Sequence, residues 1–135
     1  MTRKRFLWFF LLVVYGGAIF VLSGLRLGAG PPFLVFPGRD WMLHAIEFGL
    51  FFLLARNAIG RTSLALALTA AYAGSDELHQ AFVPTRDASL VDWVFDLLGA
   101  CAAAVAHEVA CRSCLLARIR SRILDFRASR RERGT

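Results

Sequence analysis

The sequence predicts an all-α polytopic membrane protein, a four-transmembrane-helix bundle with a basic C-terminal tail or surface helix. Three observations lead there. Hydrophobic residues make up 57% of the 135 residues and charged residues 19%, more apolar mass than a soluble domain of this length would carry. The apolar residues fall into four blocks, each long enough as a helix, at about 1.5 Å per residue, to cross a hydrocarbon core of about 30 Å. Lys and Arg gather in the tail and between the blocks, where membrane orientation places them.

The first block, residues 6–25, is an uncharged run of 20. Arg3-Lys4-Arg5 before it and Gly28-Ala29-Gly30 after it resemble the flanks of a secretory signal. The run is longer than the about 7–15 residues of a signal core, so it is expected to stay as a membrane helix. The second and third blocks, residues 41–59 and 63–82, are separated only by the segment around Gly60 and should form an antiparallel hairpin. The fourth covers residues 90–110. Pro31, Pro32 and Pro37 break the helix between the first two blocks, around an apolar tetrad at 33–36, and Pro84 marks the turn before the fourth.

These blocks define a transmembrane domain over residues 1–111 and a basic cytoplasmic tail over 112–135. In the tail, Leu116, Ile119, Ile123 and Phe126 recur at helical spacing among arginines. That pattern fits a helix lying on an anionic leaflet, with a partly disordered Arg-rich tail as the alternative. Thirteen of the 16 Lys and Arg lie on the side of the N-terminus and tail, and three (Arg26, Arg39 and Arg86) on the other. The bias places both ends of the chain in the cytoplasm of a multi-pass protein of the cell membrane. The same distribution excludes nucleic acid as the partner that the pI near 10.2 would suggest. The expected partners are membrane lipids, and self-association is compatible with the pattern.

The polar residues inside the blocks are not scattered. Helix 2 begins with Asp40, His44 and Glu47, helix 3 ends with Asp76, Glu77, His79 and Gln80, and helix 4 begins with Asp92 and Asp96. Because the chain reverses at each loop, all three segments lie on one side of the membrane, the outer side in this orientation. Residues three or four apart share a helix face, which groups Asp40 with His44 and Glu47, Asp76 with His79 and Gln80 above Tyr72, and Asp92 with Asp96. Glu77 is rotated about 100° from Asp76, off that shared face, and is kept among the pocket candidates. Charged groups in a bilayer cost several kcal/mol, so these faces should meet, with Arg86 and Asp87 above them. A hydrogen-bonded plug would explain one or two such residues; six carboxylates and two histidines point to an outward-facing polar pocket.

Asp76-Glu77-Leu78-His79-Gln80, then Pro84-Thr85-Arg86, then Asp92-Trp93-Val94-Phe95-Asp96 with Gly99, resembles the signature of the VanZ-like family. The upstream Asp40-Trp41-Met42-Leu43-His44, with Glu47 and Phe48, is similar to that family's Asp-Lys-x-x-His motif. Trp41 stands where Lys is common, and Asp96 where Asn is frequent. The resemblance covers about residues 5–110 and implies a small polytopic membrane protein. The family is named for low-level resistance to the glycopeptide teicoplanin, and the name carries no resistance claim for this chain.

Other signals are weaker. Cys111-Arg-Ser-Cys114 is a single Cys-x-x-Cys pair on the expected cytoplasmic side, where thiols stay reduced. Cys101, among alanines in mid-helix, reads as a small packing residue. His107-Glu108 falls at the far end of helix 4 and is expected at the interface. Trp8, Trp41 and Trp93 flank helix ends as an aromatic belt would.

Three functions fit these residues. One is a non-enzymatic envelope protein binding a polar headgroup or lipid-linked cell-wall precursor, with Arg86 on a phosphate or carboxylate. The second is a hydrolase or transferase acting on a lipid-linked substrate. No cofactor is expected from a standard motif, but a divalent metal in such an enzyme would find candidate ligands in His44, Glu47, Asp76 and His79. The third is a component of a proton-coupled transporter, which would need an oligomer.

Overall fold

A computed structural model of the chain describes residues 3–25, 38–84, 86 and 88–132, with side chains described as far as Arg122. Four helices follow one another: α1 (Arg3–Ser23), α2 (Arg39–Ile59), α3 (Thr62–Gln80) and α4 (Leu90–Glu132). No strand occurs among the described residues. The proline-rich segment expected between helices 1 and 2, with its apolar tetrad at 33–36, lies outside the described residues, as does Asp87.

Three of the helices, α1, α2 and α4, are long and apolar enough to cross a membrane. α3 is 19 residues long, but its last two turns carry Ser75, Asp76, Glu77, His79 and Gln80, which lowers its apolar content below that of the other three.

The chain divides into two units, Met1–Ala104 and Val105–Thr135. In the first, the core is built around α2. Phe48, Phe51, Phe52 and Ala55 are buried against Leu12 and Ile19 of α1, Ala65 and Ala73 of α3, and Ala100 and Ala104 of α4. The Phe51 and Tyr72 rings stack at 4.6 Å. The Tyr72 hydroxyl donates to the Gly16 carbonyl at 2.6 Å, which ties α3 to α1, and the Trp93 indole donates to the Ala70 carbonyl at 3.3 Å, which ties α4 to α3.

The α2–α3 hairpin turns on Gly60. Its φ of 83° is left-handed, and its N–H closes on the Arg56 carbonyl at 2.8 Å, the ordinary glycine stop of a helix. Arg61 is extended and α3 starts at once. Outside this core, Phe6, Phe9, Phe10, Val13, Val14, Phe20 and Val21 of α1 remain exposed. Water would reject such a surface, whereas lipid tails accept it.

α2 and α4 come close through small residues. A Cβ added to Gly49 would lie 3.2 Å from the Gly99 carbonyl oxygen, and one added to Gly99 would run into the Ala45 backbone. Ala45 and Gly49 on one helix, with Gly99 and Ala103 on the other, form the small-residue spacing by which membrane helices approach.

The second unit is helical as far as Glu132, so the segment expected as a surface helix or a disordered tail is helical. No proline follows Pro84, and Leu, Ala and Arg favour helix. Val105, Val109, Leu115, Leu116 and Ile119 are exposed, while the side chains of Ile123 and Phe126 lie outside those described. Truncation after Cys114 is expected to leave the first unit's thermal unfolding unchanged within about 0.5 kcal/mol, because its core contains nothing beyond Ala104. A clear drop in the melting temperature of the truncated chain in detergent would contradict this.

Candidate functional site

The first unit gathers polar side chains at the end where α1 and α3 finish and α2 and α4 begin. Two hydrogen-bonded groups occupy it.

One runs from α1 through α3 to the following turn. Ser23 Oγ donates to Asp76 Oδ1 at 2.6 Å, Gln80 Nε2 donates to Asp76 Oδ2 at 2.8 Å, and Arg86 Nη1 donates to Gln80 Oε1 at 3.2 Å. Asp76 and Gln80 are one helical turn apart, which lets the amide reach back to the carboxylate. Both are buried. The His79 ring stacks on Phe20 at 4.0 Å with its Nδ1 3.5 Å from Ser23 Oγ.

The other links α2, α3 and α4. His44 Nδ1 lies 2.9 Å from Asp96 Oδ1, and His44 Nε2 lies 4.0 Å from Asp92 Oδ2. If Asp96 is ionised it only accepts, and Nδ1 then carries the proton in this pair. Asp96 is 1% exposed. Glu77 joins from α3, with Oε2 accepting the Ser89 N–H at 2.7 Å. One donor atom each from His44, Glu77 and Asp92 lies within 4.8 Å of the other two.

Local sequence explains these positions. Ser89 caps α4: its carbonyl accepts the Trp93 N–H, and its hydroxyl accepts the Asp92 N–H. In a capping box the cap's own N–H would be taken by an acidic residue of the same helix; here Glu77 of α3 takes it. The close approach of Ala45 and Gly99 stands one residue beyond His44 and three beyond Asp96, and so fixes the distance at which that pair meets.

The sequence-predicted residues therefore divide. His44, Glu77, Asp92 and Asp96 form one group, and Asp76, Gln80 and Arg86 the other, with His79 beside it. Glu77, although rotated off the Asp76 face, is buried with it, because α3 packs against neighbours on both flanks. Glu47 is half-buried one turn below His44, and its backbone carbonyl accepts the Tyr15 hydroxyl at 3.2 Å. Asp40 is exposed and bonds to its neighbour Arg39 at 3.2 Å. Of the four residues expected as metal ligands, His44 alone falls in the group of three metal-capable donors; Glu47, Asp76 and His79 do not. Ser23, Ser89 and Tyr15 were not singled out by sequence. Ser89 had a signal, the Ser-x-x-Asp spacing at a helix start, whereas a lone serine ending an apolar run has none.

Among the described residues, a cavity of about 260 Å³ opens beside Glu77, lined also by Gly74, Ala88, Ser89, Leu90 and Trp93. Cys101, Cys111 and Cys114 are free and exposed. Cys111 Sγ is 4.0 Å from the His107 ring nitrogens.

No curated protein and no solved structure matches the chain. The VanZ/LLP1 family model matches residues 39–110, which include every member of both hydrogen-bonded groups except Ser23. That match covers more than half of the sequence and, with three helices apolar enough to span, the chain belongs to the VanZ/LLP1 family as a membrane protein of the VanZ type.

Proposed function

We propose that this protein is a four-span bacterial envelope protein that binds the polar head of a lipid-linked envelope compound at its outward-facing polar end. The observation that carries this reading is the pairing of an apolar cavity with buried charge. Gly74, Ala88, Leu90 and Trp93 give the cavity of about 260 Å³ walls suited to a hydrocarbon chain, and Glu77 gives it a polar side. Arg86, at the same end, supplies a cation for a phosphate or carboxylate. α3 is the fourth span in this reading. Its 19 residues reach about 28 Å, and Asp76, Glu77 and Gln80 of its polar turns are buried within the chain. A hydrolase or transferase acting on the same substrate class is the second reading, favoured by the part-buried His44–Asp96 pair.

Orientation is tested separately. With the three native cysteines replaced, an impermeant thiol reagent added outside is expected to label Arg86→Cys and to miss Ser129→Cys, following the Lys and Arg asymmetry. The opposite pattern would invert the topology. For the ligand, the purified chain in detergent is expected to bind a short polyprenyl phosphate, and Arg86→Ala to weaken that binding about tenfold or more. Equal binding by the variant would remove Arg86 from the site, and no binding by either would remove the reading.

A further inference from the structure

The geometry points to a divalent-cation site formed by His44 Nε2, Glu77 Oε1 and the Asp92 carboxylate, with Asp96 as the group that orients the histidine. It stands on the donor geometry alone and holds whether or not the lipid-linked ligand proposed above is correct.

Four observations converge on it. First, one donor from each of the three residues lies within 4.8 Å of the others. A first-row cation with bonds of about 2.0–2.2 Å spaces its ligands at most about 4.4 Å apart, so a small side-chain rotation closes the site. Second, His44 is presented as a metal ligand is. Its Nδ1 faces Asp96 Oδ1 at 2.9 Å, which leaves Nε2 on the Asp92 side, 4.0 Å from Oδ2; a cation bound there would take the Nε2 lone pair in place of a proton while Nδ1–H donates to Asp96. A carboxylate behind the far nitrogen is the usual support for a metal-bound histidine.

Third, Glu77 is held by one oxygen only. Oε2 accepts the Ser89 N–H at 2.7 Å, while Oε1 is buried with no hydrogen-bond partner, and Glu77 as a whole is 7% exposed. Buried polar atoms are almost always paired, so an orphaned carboxylate oxygen among metal-capable donors needs an explanation. Asp96 Oδ2 is a second such orphan at this end.

Fourth, the charges do not balance. Three carboxylates (Glu77, Asp92 and Asp96) surround one imidazole, and Arg86 is engaged at Gln80. With Glu77 and Asp96 buried, such a set is costly unless a proton or a further positive charge offsets it. A plug that merely holds helices in register would pair its atoms instead.

One imidazole and two carboxylates suit a borderline cation such as Mn²⁺ or Zn²⁺ better than a thiolate-seeking one. Three protein donors also leave positions for an oxygen ligand, as catalytic and substrate-binding metal sites do. His44 and Asp92 keep side-chain exposures of 15% and 24%, so the site opens on their side and closes on that of Glu77.

The test uses the full chain in detergent, stripped with chelator and then loaded with Mn²⁺ or with Zn²⁺, the three cysteines replaced by serine so that Cys111 and Cys114 do not compete. Equilibrium dialysis is expected to find about one ion per chain. Glu77→Gln and His44→Ala should each weaken binding at least about tenfold, whereas Asp40→Asn leaves it unchanged. Pulsed electron paramagnetic resonance of the Mn²⁺-loaded parent, which needs no variant to fold, should show coupling to one imidazole nitrogen. Failure of both ions to bind stoichiometrically overturns the proposal. So does bound Mn²⁺ without nitrogen coupling, or binding that Glu77→Gln leaves intact. These readouts involve no lipid, so their failure leaves the ligand reading standing, and failure of polyprenyl phosphate binding leaves the metal site standing.

Discussion

Gly99→Ala is expected to destabilise the protein by about 3 kcal/mol or more, because an added methyl group there makes the closest approach to a neighbour of any described glycine. Adding a side chain to a packed interior costs about 1–3 kcal/mol when neighbouring side chains can yield. Here they cannot, because the new Cβ meets the oxygen, carbonyl carbon and Cα of Ala45, all backbone. Helices α2 and α4 must separate, which also lengthens the 2.9 Å contact between His44 and Asp96. Gly17→Ala is the matched control. Nothing lies within 4 Å of a Cβ there, and alanine is the better helix former by about 0.5–1 kcal/mol. Reversible unfolding in detergent micelles, followed by Trp fluorescence, compares the two. Equal stability of the variants would mean that the α2–α4 crossing is looser than described.

The elements themselves were legible because their cause is local. Apolar runs bounded by Pro, Gly and Arg fix where a helix can lie, and α2 and α3 begin and end within about two residues of the expected limits. The shared polar end was legible for the same reason: chain reversal is topology, and three- and four-residue spacing is helix geometry.

What escaped depended on neighbours. That Glu77 is buried beside Asp76 does not follow from its rotation of about 100°, which on a helix buried on one face turns a residue away. α3 is covered on more than one face, so adjacent residues are both inside. Asp40 shares a helix face with His44 but lies one turn nearer the helix start, where solvent is the nearer partner. The pairing of His44 with Asp96 required knowing how closely α2 and α4 cross, which the glycines permit but do not announce. The orphaned oxygens of Glu77 and Asp96 depend on every surrounding atom and have no sequence signature.

The direction of hydrogen bonding along Ser23, Asp76, Gln80 and Arg86 leads to the second large effect. Asp76 accepts on both oxygens, from Ser23 at 2.6 Å and from Gln80 at 2.8 Å, so it must present two acceptors. Asp76→Asn supplies one acceptor and one amino group. The amino group then faces the amide N–H₂ of Gln80, donor against donor. If Gln80 flips to relieve this, its own N–H₂ faces Arg86, which also only donates. If instead the new amide turns its oxygen to Gln80, its amino group meets the Ser23 hydroxyl, which accepts only by turning its own hydrogen to the Phe20 carbonyl at 3.1 Å, so every arrangement gives up at least one charge-assisted hydrogen bond, at a cost of about 1–3 kcal/mol. Gln80→Glu alone is also destabilising, because it sets a second carboxylate against Asp76. The double variant Asp76→Asn/Gln80→Glu reverses the direction of the central bond. The new amide at position 76 accepts from Ser23 and donates to the new carboxylate at position 80, which in turn accepts from Arg86, and the formal charge of the set is unchanged. The double variant is therefore expected to be more stable than the sum of the two single losses by about 1 kcal/mol or more, a coupling that unfolding in detergent measures directly as a double-mutant cycle. Losses that simply add would show that the amide of Gln80 does not relay between Asp76 and Arg86, and the two buried groups would then have to be held by their helices alone.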